Sequence, residues 1–106
     1  MNQLAFILCL AATVTSCVSR SVHSRVVTGQ VAPFYAGEVR VRMQKEPLPP
    51  EYIEVALLEV VGDKGRQHLI DELKGEAARL GCNEVVSVTA ENPVATGIAV
   101  RTPAAP

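Results

Sequence analysis

Cysteine and histidine are the residues of this sequence best suited to covalent or metal chemistry, and both are few. The 106 residues include three cysteines, Cys9, Cys17 and Cys82, and two histidines, His23 and His68. No His/Cys/carboxylate spacing among them is typical of a zinc or transition-metal site. A Ser-His-Asp arrangement, a phosphate loop and a dinucleotide fingerprint are also missing from the sequence. We therefore predict a protein that is not an enzyme, with no catalytic residue, cofactor or metal ligand.

Cys17 differs from the other two cysteines because it ends an apolar leader. Residues 4–15 are almost wholly apolar or small, and the first charged side chain is Arg20. A membrane-spanning helix needs about 20 apolar residues, whereas this run has the shorter length of a signal-peptide core. The leader therefore predicts export from the cytoplasm.

The sequence V-T-S-C of residues 14–17 resembles the bacterial lipobox, in which an aliphatic residue and two small residues precede a cysteine. The resemblance implies that the Cys17 thiol receives a diacylglyceryl group, that residues 1–16 are removed, and that the new amino terminus is acylated with a fatty acid such as palmitate. Val18 follows the cysteine in place of Asp, which implies attachment to the periplasmic face of the outer membrane. An ordinary secretory signal with a chance cysteine is the alternative.

The mature chain is short and nearly neutral in charge. Removal of residues 1–16 from the 106 leaves 90, enough for one small domain. The chain has ten basic and eleven acidic side chains, four aromatic residues and no Trp. A nucleic-acid binder typically has a basic stripe with interleaved aromatic residues, so we exclude nucleic acid as a partner.

Cys82 is the one cysteine left for the mature domain, so an intramolecular disulfide cannot form there. It follows Gly81 at a predicted junction between a helix and a strand. Free cysteine is among the most buried residue types, and no cationic neighbour in the sequence activates this thiol. We interpret Cys82 as a buried structural thiol. A redox sensor, a metal ligand and an intermolecular disulfide are the alternatives.

Hydrophobic patterning predicts two strands, one helix and two further strands. In EVRVRMQ, apolar and polar residues alternate, which is typical of a strand with one buried face. The stretches YIEVALLEVV and NEVVSVTA predict strands that are apolar on both faces, and ATGIAVR predicts the last strand. RQHLIDELKGEAARLG has the helical period, with an apolar stripe that ends at Gly81. The predicted fold class is α+β, with a four-stranded sheet and one helix packed on one face.

This order of elements divides the chain into four segments. Residues 1–16 are the signal peptide, 17–35 the lipidated amino terminus and tether, 36–102 the α+β domain, and 103–106 a disordered tail. Within the tether, a brief strand around Arg25–Thr28 is an alternative to an irregular conformation.

The stretches GEVRVRMQKEPLPPEYIEVALLEV, EAARLGCNEVVSV and TGIAVR resemble the small α+β domain of the YbjQ-like family and of its relative, the lipoprotein sensor of the Rcs envelope-stress phosphorelay. The shared features are a valine-rich strand, a proline loop, a Tyr-x-Glu strand, a helix ending Ala-x-x-Leu-Gly-x-Asn and a closing Gly-x-Ala-Val. The resemblance covers residues 37–101. It implies the fold more directly than a function, with envelope stress signalling as a setting and ring formation as a mode of assembly.

One helix can cover only one face of the predicted sheet, whereas the central strands carry apolar residues on both. Strict alternation predicts two opposed sets: Ile53, Val55 and Leu57 against Ala56, Leu58 and Val60, and Val85 against Val86, Val88 and Ala90. Strands apolar on both faces are expected where both faces are covered. We therefore predict a lipid-anchored envelope protein that self-associates or binds an envelope protein partner. A small-ligand or metal-binding periplasmic module is the alternative.

Overall fold

The computed structural model describes residues 21–103, which form one helix and five strands. The strands are β1 (Val22–Val27), β2 (Arg40–Met43), β3 (Ile53–Val61), β4 (Glu84–Glu91) and β5 (Val94–Arg101), and the helix is α1 (Arg66–Arg79). They form a single mixed sheet in the order β1-β3-β5-β4-β2. Neighbouring strands are antiparallel except for β2 and β4, which are parallel. The predicted α+β class is confirmed.

The predicted number of four strands is wrong, because part of the predicted tether forms a fifth strand. β1 pairs with β3 along its whole length, from Val22 opposite Val61 to Val27 opposite Ala56. The backbone continues this attachment beyond the strand, since the N–H groups of residues 28 and 29 both donate to the Val55 carbonyl. The sheet therefore begins only five residues after Cys17.

The helix covers one face of the sheet, termed here the covered face, and the main core lies between them. The predicted apolar stripe of α1 is buried there. The residues of this core cluster include Leu69, Ile70, Leu73, Ala77 and Leu80 from the helix side, and Ala56, Leu58, Val60, Val85, Val88, Ala90, Ala95 and Ala99 from the sheet. The opposite face, termed the open face, has no helix on it within residues 21–103.

A β-bulge in β3 changes which side chains reach the core. The register against β5 shifts between Glu54 and Ala56, which leaves Val55 as an extra residue. Val55 and Ala56 are both fully buried, whereas Leu57 is exposed. The predicted grouping of Val55 with Leu57 on one face is therefore wrong, because a bulge interrupts the two-residue period on which it rested.

A second bulge lies in β4, where Ser87 takes a left-handed φ of 53°. A Cβ atom built on Gly97 would lie 2.6 Å from Val85 Cγ1 and 3.2 Å from Val88 Cγ2, so these two valines project from the same face. The predicted placement of Val85 opposite Val88 is wrong for the same reason as in β3. A non-glycine residue with positive φ gives no signal in the sequence pattern.

Candidate docking surface on the open sheet face

The side chains of β1 show which way the sheet faces. His23 and Arg25 form ion pairs with acidic residues of α1, so they project from the covered face. Because side chains alternate along a strand, Val22, Ser24 and Val26 project from the open face. The cross-strand register then groups the open-face residues of β1, β3 and β5 into three rows.

Two of these rows are apolar and enclose a polar one. The residues are Val22, Val61 and Val94 in the valine row, Ser24, Glu59 and Thr96 in the polar row, and Val26, Leu57 and Ile98 in the leucine row. Apart from Ile98, which is half-buried, the apolar members are between 36% and 62% exposed. Single exposed aliphatic residues are ordinary on a protein surface. Here three aliphatic residues stand side by side in each of two rows on the same face, and such clustering is typical of an interaction site.

The polar row places one carboxylate among these aliphatic side chains. Glu59 lies between Ser24 and Thr96, and its side chain is exposed. Thr96 shares a hydrogen bond of 2.7 Å with Thr89 of the adjacent strand, so its hydroxyl is already engaged. The nine residues of the three rows include no Lys, Arg or His. The patch therefore has one negative charge near its centre.

The loop between β2 and β3 limits the patch to one half of the open face. Val86 and Val100 project from this face, yet both are buried. Next to them the buried Glu84 is paired with Arg42, which also donates to the Pro47 carbonyl at 3.1 Å. These contacts hold the loop of residues 44–52, termed here the proline loop, beside β4 on this face. The surface open to a partner is the half formed by β1, β3 and β5.

The predicted structural thiol, Cys82, lies in the core cluster and is fully buried. Burial raises the pKa of the Cys82 thiol, and the positive charge of Arg101 opposes this rise only in part. The thiol is therefore protonated at neutral pH and has no solvent access. Sequence reasoning missed Arg101, which is 19 residues away along the chain. Cys17, the predicted lipidation site, lies outside the described residues.

Both histidines contact acidic residues of α1. His23 Nε2 lies 3.0 Å from Glu72, and His68 Nε2 lies 3.1 Å from the same carboxylate. Glu76 lies 3.8 Å from His23 and 3.7 Å from Arg25. Within residues 21–103 no group of three or more His, Cys, Asp or Glu side chains has a geometry that could hold a metal ion. The cluster attaches β1 to α1, which the assignment of His23 to a tether did not predict.

Comparison of the chain with protein-family models, with curated proteins and with solved structures finds no match in any of the three. The resemblance to the YbjQ-like family therefore stays a prediction.

Across residues 21–103, no helix has both the length and the apolar character that crossing a membrane requires.

Proposed function

We propose that this protein is a non-enzymatic, lipid-anchored envelope protein that binds another protein through the open face of its sheet. The observation that carries the proposal is the pair of exposed aliphatic rows on β1, β3 and β5. The lipobox-like sequence before Cys17 supports the anchor, since it places a candidate lipid directly ahead of the folded domain.

The size of the patch sets the strength of binding to expect. Fully burying one aliphatic side chain contributes about 1.5–3 kcal/mol, so six that are roughly half exposed contribute about 5–9 kcal/mol. Association costs about 4 kcal/mol or more in lost translational and rotational freedom. The rows alone therefore support a weak complex, and a tighter one requires polar complementarity as well.

The Glu59 carboxylate determines which polar group a partner must supply. A two-fold packing of two open faces would bring two Glu59 carboxylates into one apolar interface, with no basic side chain from the rows to meet them. Burying an unpaired charge is costly, so this symmetric dimer is disfavoured. A partner with apolar side chains around a Lys or Arg meets both the rows and Glu59. We therefore propose a different envelope protein, rather than a symmetric second copy, as the occupant.

Dye binding and light scattering on purified residues 18–106, which lack the lipidation site, test the exposed face without a contribution from acyl chains. We expect a monomer that binds a hydrophobic dye, and we expect the variant Leu57→Ser to bind markedly less of it. Leu48→Ser is the matched control, because Leu48 is an exposed leucine in the proline loop, outside the three rows. Equal loss of dye binding in both variants, or none in either, would contradict the assignment of the patch. A stable dimer that Leu57→Ser dissociates would favour self-association instead.

A further inference from the structure

We propose that the end of the sheet at which β1 begins rests on the membrane surface, with the valine row and the turn of residues 62–65 facing the lipid headgroups. This inference rests on the proposed lipidation of Cys17. It adds an orientation for the domain, which lipidation by itself does not define.

The short connection to the anchor is the first observation. Four residues lie between Cys17 and Val22. The five residue-to-residue steps from Cys17 to Val22 span at most about 18 Å when fully extended. The nine residues of β3 extend about 30 Å at the usual rise of a strand. The connection is therefore shorter than the sheet is long, and the domain cannot move far from the surface that holds the lipid.

The firm attachment of β1 is the second observation. All six of its residues pair with β3, and ion pairs from His23 and Arg25 bind it to α1. Detaching β1 to lengthen the connection would break all of these contacts. The chain therefore leaves the folded domain at Val22, and this end of the sheet lies nearest to the proposed lipid.

The chemistry of this end suits a headgroup layer. Val22 lies opposite Val61, which lies opposite Val94, so three exposed valines mark the edge. The neighbouring turn carries the exposed residues Asp63 and Lys64, and Arg66 follows at the start of α1. Lys and Arg bind lipid phosphates and aliphatic side chains reach the acyl boundary. The exposed carboxylates of Asp63 and of Glu91, which lies opposite Val94, balance the charges of Lys64 and Arg66, so this end has no net charge to repel the headgroups.

Two turns at this end are bound together and present a firm surface. The N–H of Gly62 donates to the Pro93 carbonyl at 2.8 Å, and the N–H of Gly65 donates to Asn92 Oδ1 at 3.2 Å.

A domain lying flat on its open face would instead press Glu59 against the lipid phosphates. In the upright orientation the carboxylates near the phosphates are accompanied by Lys64 and Arg66, whereas the three rows hold no basic side chain beside Glu59. The upright orientation also keeps the docking patch free for a protein partner.

Fluorescence quenching on vesicles tests the orientation. The lipidated full-length protein, with a fluorophore attached at either Lys64→Cys or Glu51→Cys, is reconstituted into phosphatidylethanolamine and phosphatidylglycerol vesicles that contain a lipid with a nitroxide headgroup. Both positions are exposed, and Glu51 precedes β3 at the opposite end of the sheet. We expect quenching at position 64 to exceed that at position 51 at least threefold. Inserting ten Gly and Ser residues between Ser19 and Arg20 should reduce that ratio toward one.

The outcomes separate this inference from the proposed function. If the protein does not float with the vesicles, both the lipid anchor and the proposed orientation are contradicted. If the protein floats but quenching is equal at the two positions, or stronger at position 51, the proposed orientation is contradicted and the anchor is not.

Discussion

At the scale of single residues, the two cysteines of the mature chain have opposite roles. Cys17 is proposed to carry the anchor, and the chemistry of that step requires a thiol. Replacing Cys17 with Ser should abolish incorporation of a clickable palmitate analogue and leave an uncleaved precursor or a soluble protein. Three acyl chains, at about 0.8 kcal/mol for each buried methylene, make the anchor effectively permanent. Wild-type protein recovered in the soluble periplasmic fraction would contradict this role.

Cys82, in contrast, should act through its volume. Cys82→Ala should fold with a loss of about 1–2 kcal/mol in the free energy of unfolding, because only the sulfur atom leaves the core. Cys82→Asp should lose about 3–5 kcal/mol, because it buries a carboxylate. Urea denaturation measures both. The native thiol should react with a maleimide far more slowly than the thiol of the unfolded chain, and rapid native labelling would show that the residue is accessible.

At the scale of elements, α1 and the four strands β2 to β5 could be predicted from the sequence, whereas β1 was visible only as an undecided short strand around Arg25–Thr28. The helical stripe and the valine-rich strands bury aliphatic side chains, so their periods are visible in the pattern. On the covered face of β1, His23 and Arg25 meet Glu72 and Glu76 instead of the core, and Val27 is exposed. A strand held by ion pairs gives no hydrophobic period. The docking patch was predicted only as an apolar second face, because the bulges at Val55 and Ser87 determine which residues lie on it.

The attachment of β1 to α1 gives a prediction for Glu76, which is buried and contacts His23, Arg25 and Arg79. Glu76→Gln keeps the shape but removes the charge, so we expect a loss of about 1–2 kcal/mol in stability. Amide hydrogen exchange across β1 should become faster as well. Asp71→Asn is the matched control on the exposed side of the same helix and should change stability by less than about 0.5 kcal/mol. Unchanged exchange in β1 would show that Glu76 does not hold the strand.

At the scale of the whole molecule, the anchor and the docking patch constrain each other. The proposed lipid lies at the start of β1, and the patch occupies the open face formed by β1, β3 and β5. A domain standing on its β1 end presents this face parallel to the membrane normal, within reach of proteins attached to the same membrane. Since the connection of about 18 Å is short, the partner's binding surface should lie within a few nanometres of the lipid headgroups.

Photo-crosslinking in intact cells tests the docking of a partner most directly. A photo-reactive amino acid at Leu57 should give one discrete adduct with a different envelope protein, and the same group at Asp71 should not. The adduct should disappear in Glu59→Lys, which keeps the aliphatic rows and reverses the central charge. It should persist in Glu51→Lys, which reverses an exposed carboxylate in the loop before β3, outside the rows. Adducts that form equally from positions 57 and 71, or that survive Glu59→Lys unchanged, would contradict docking through the open face.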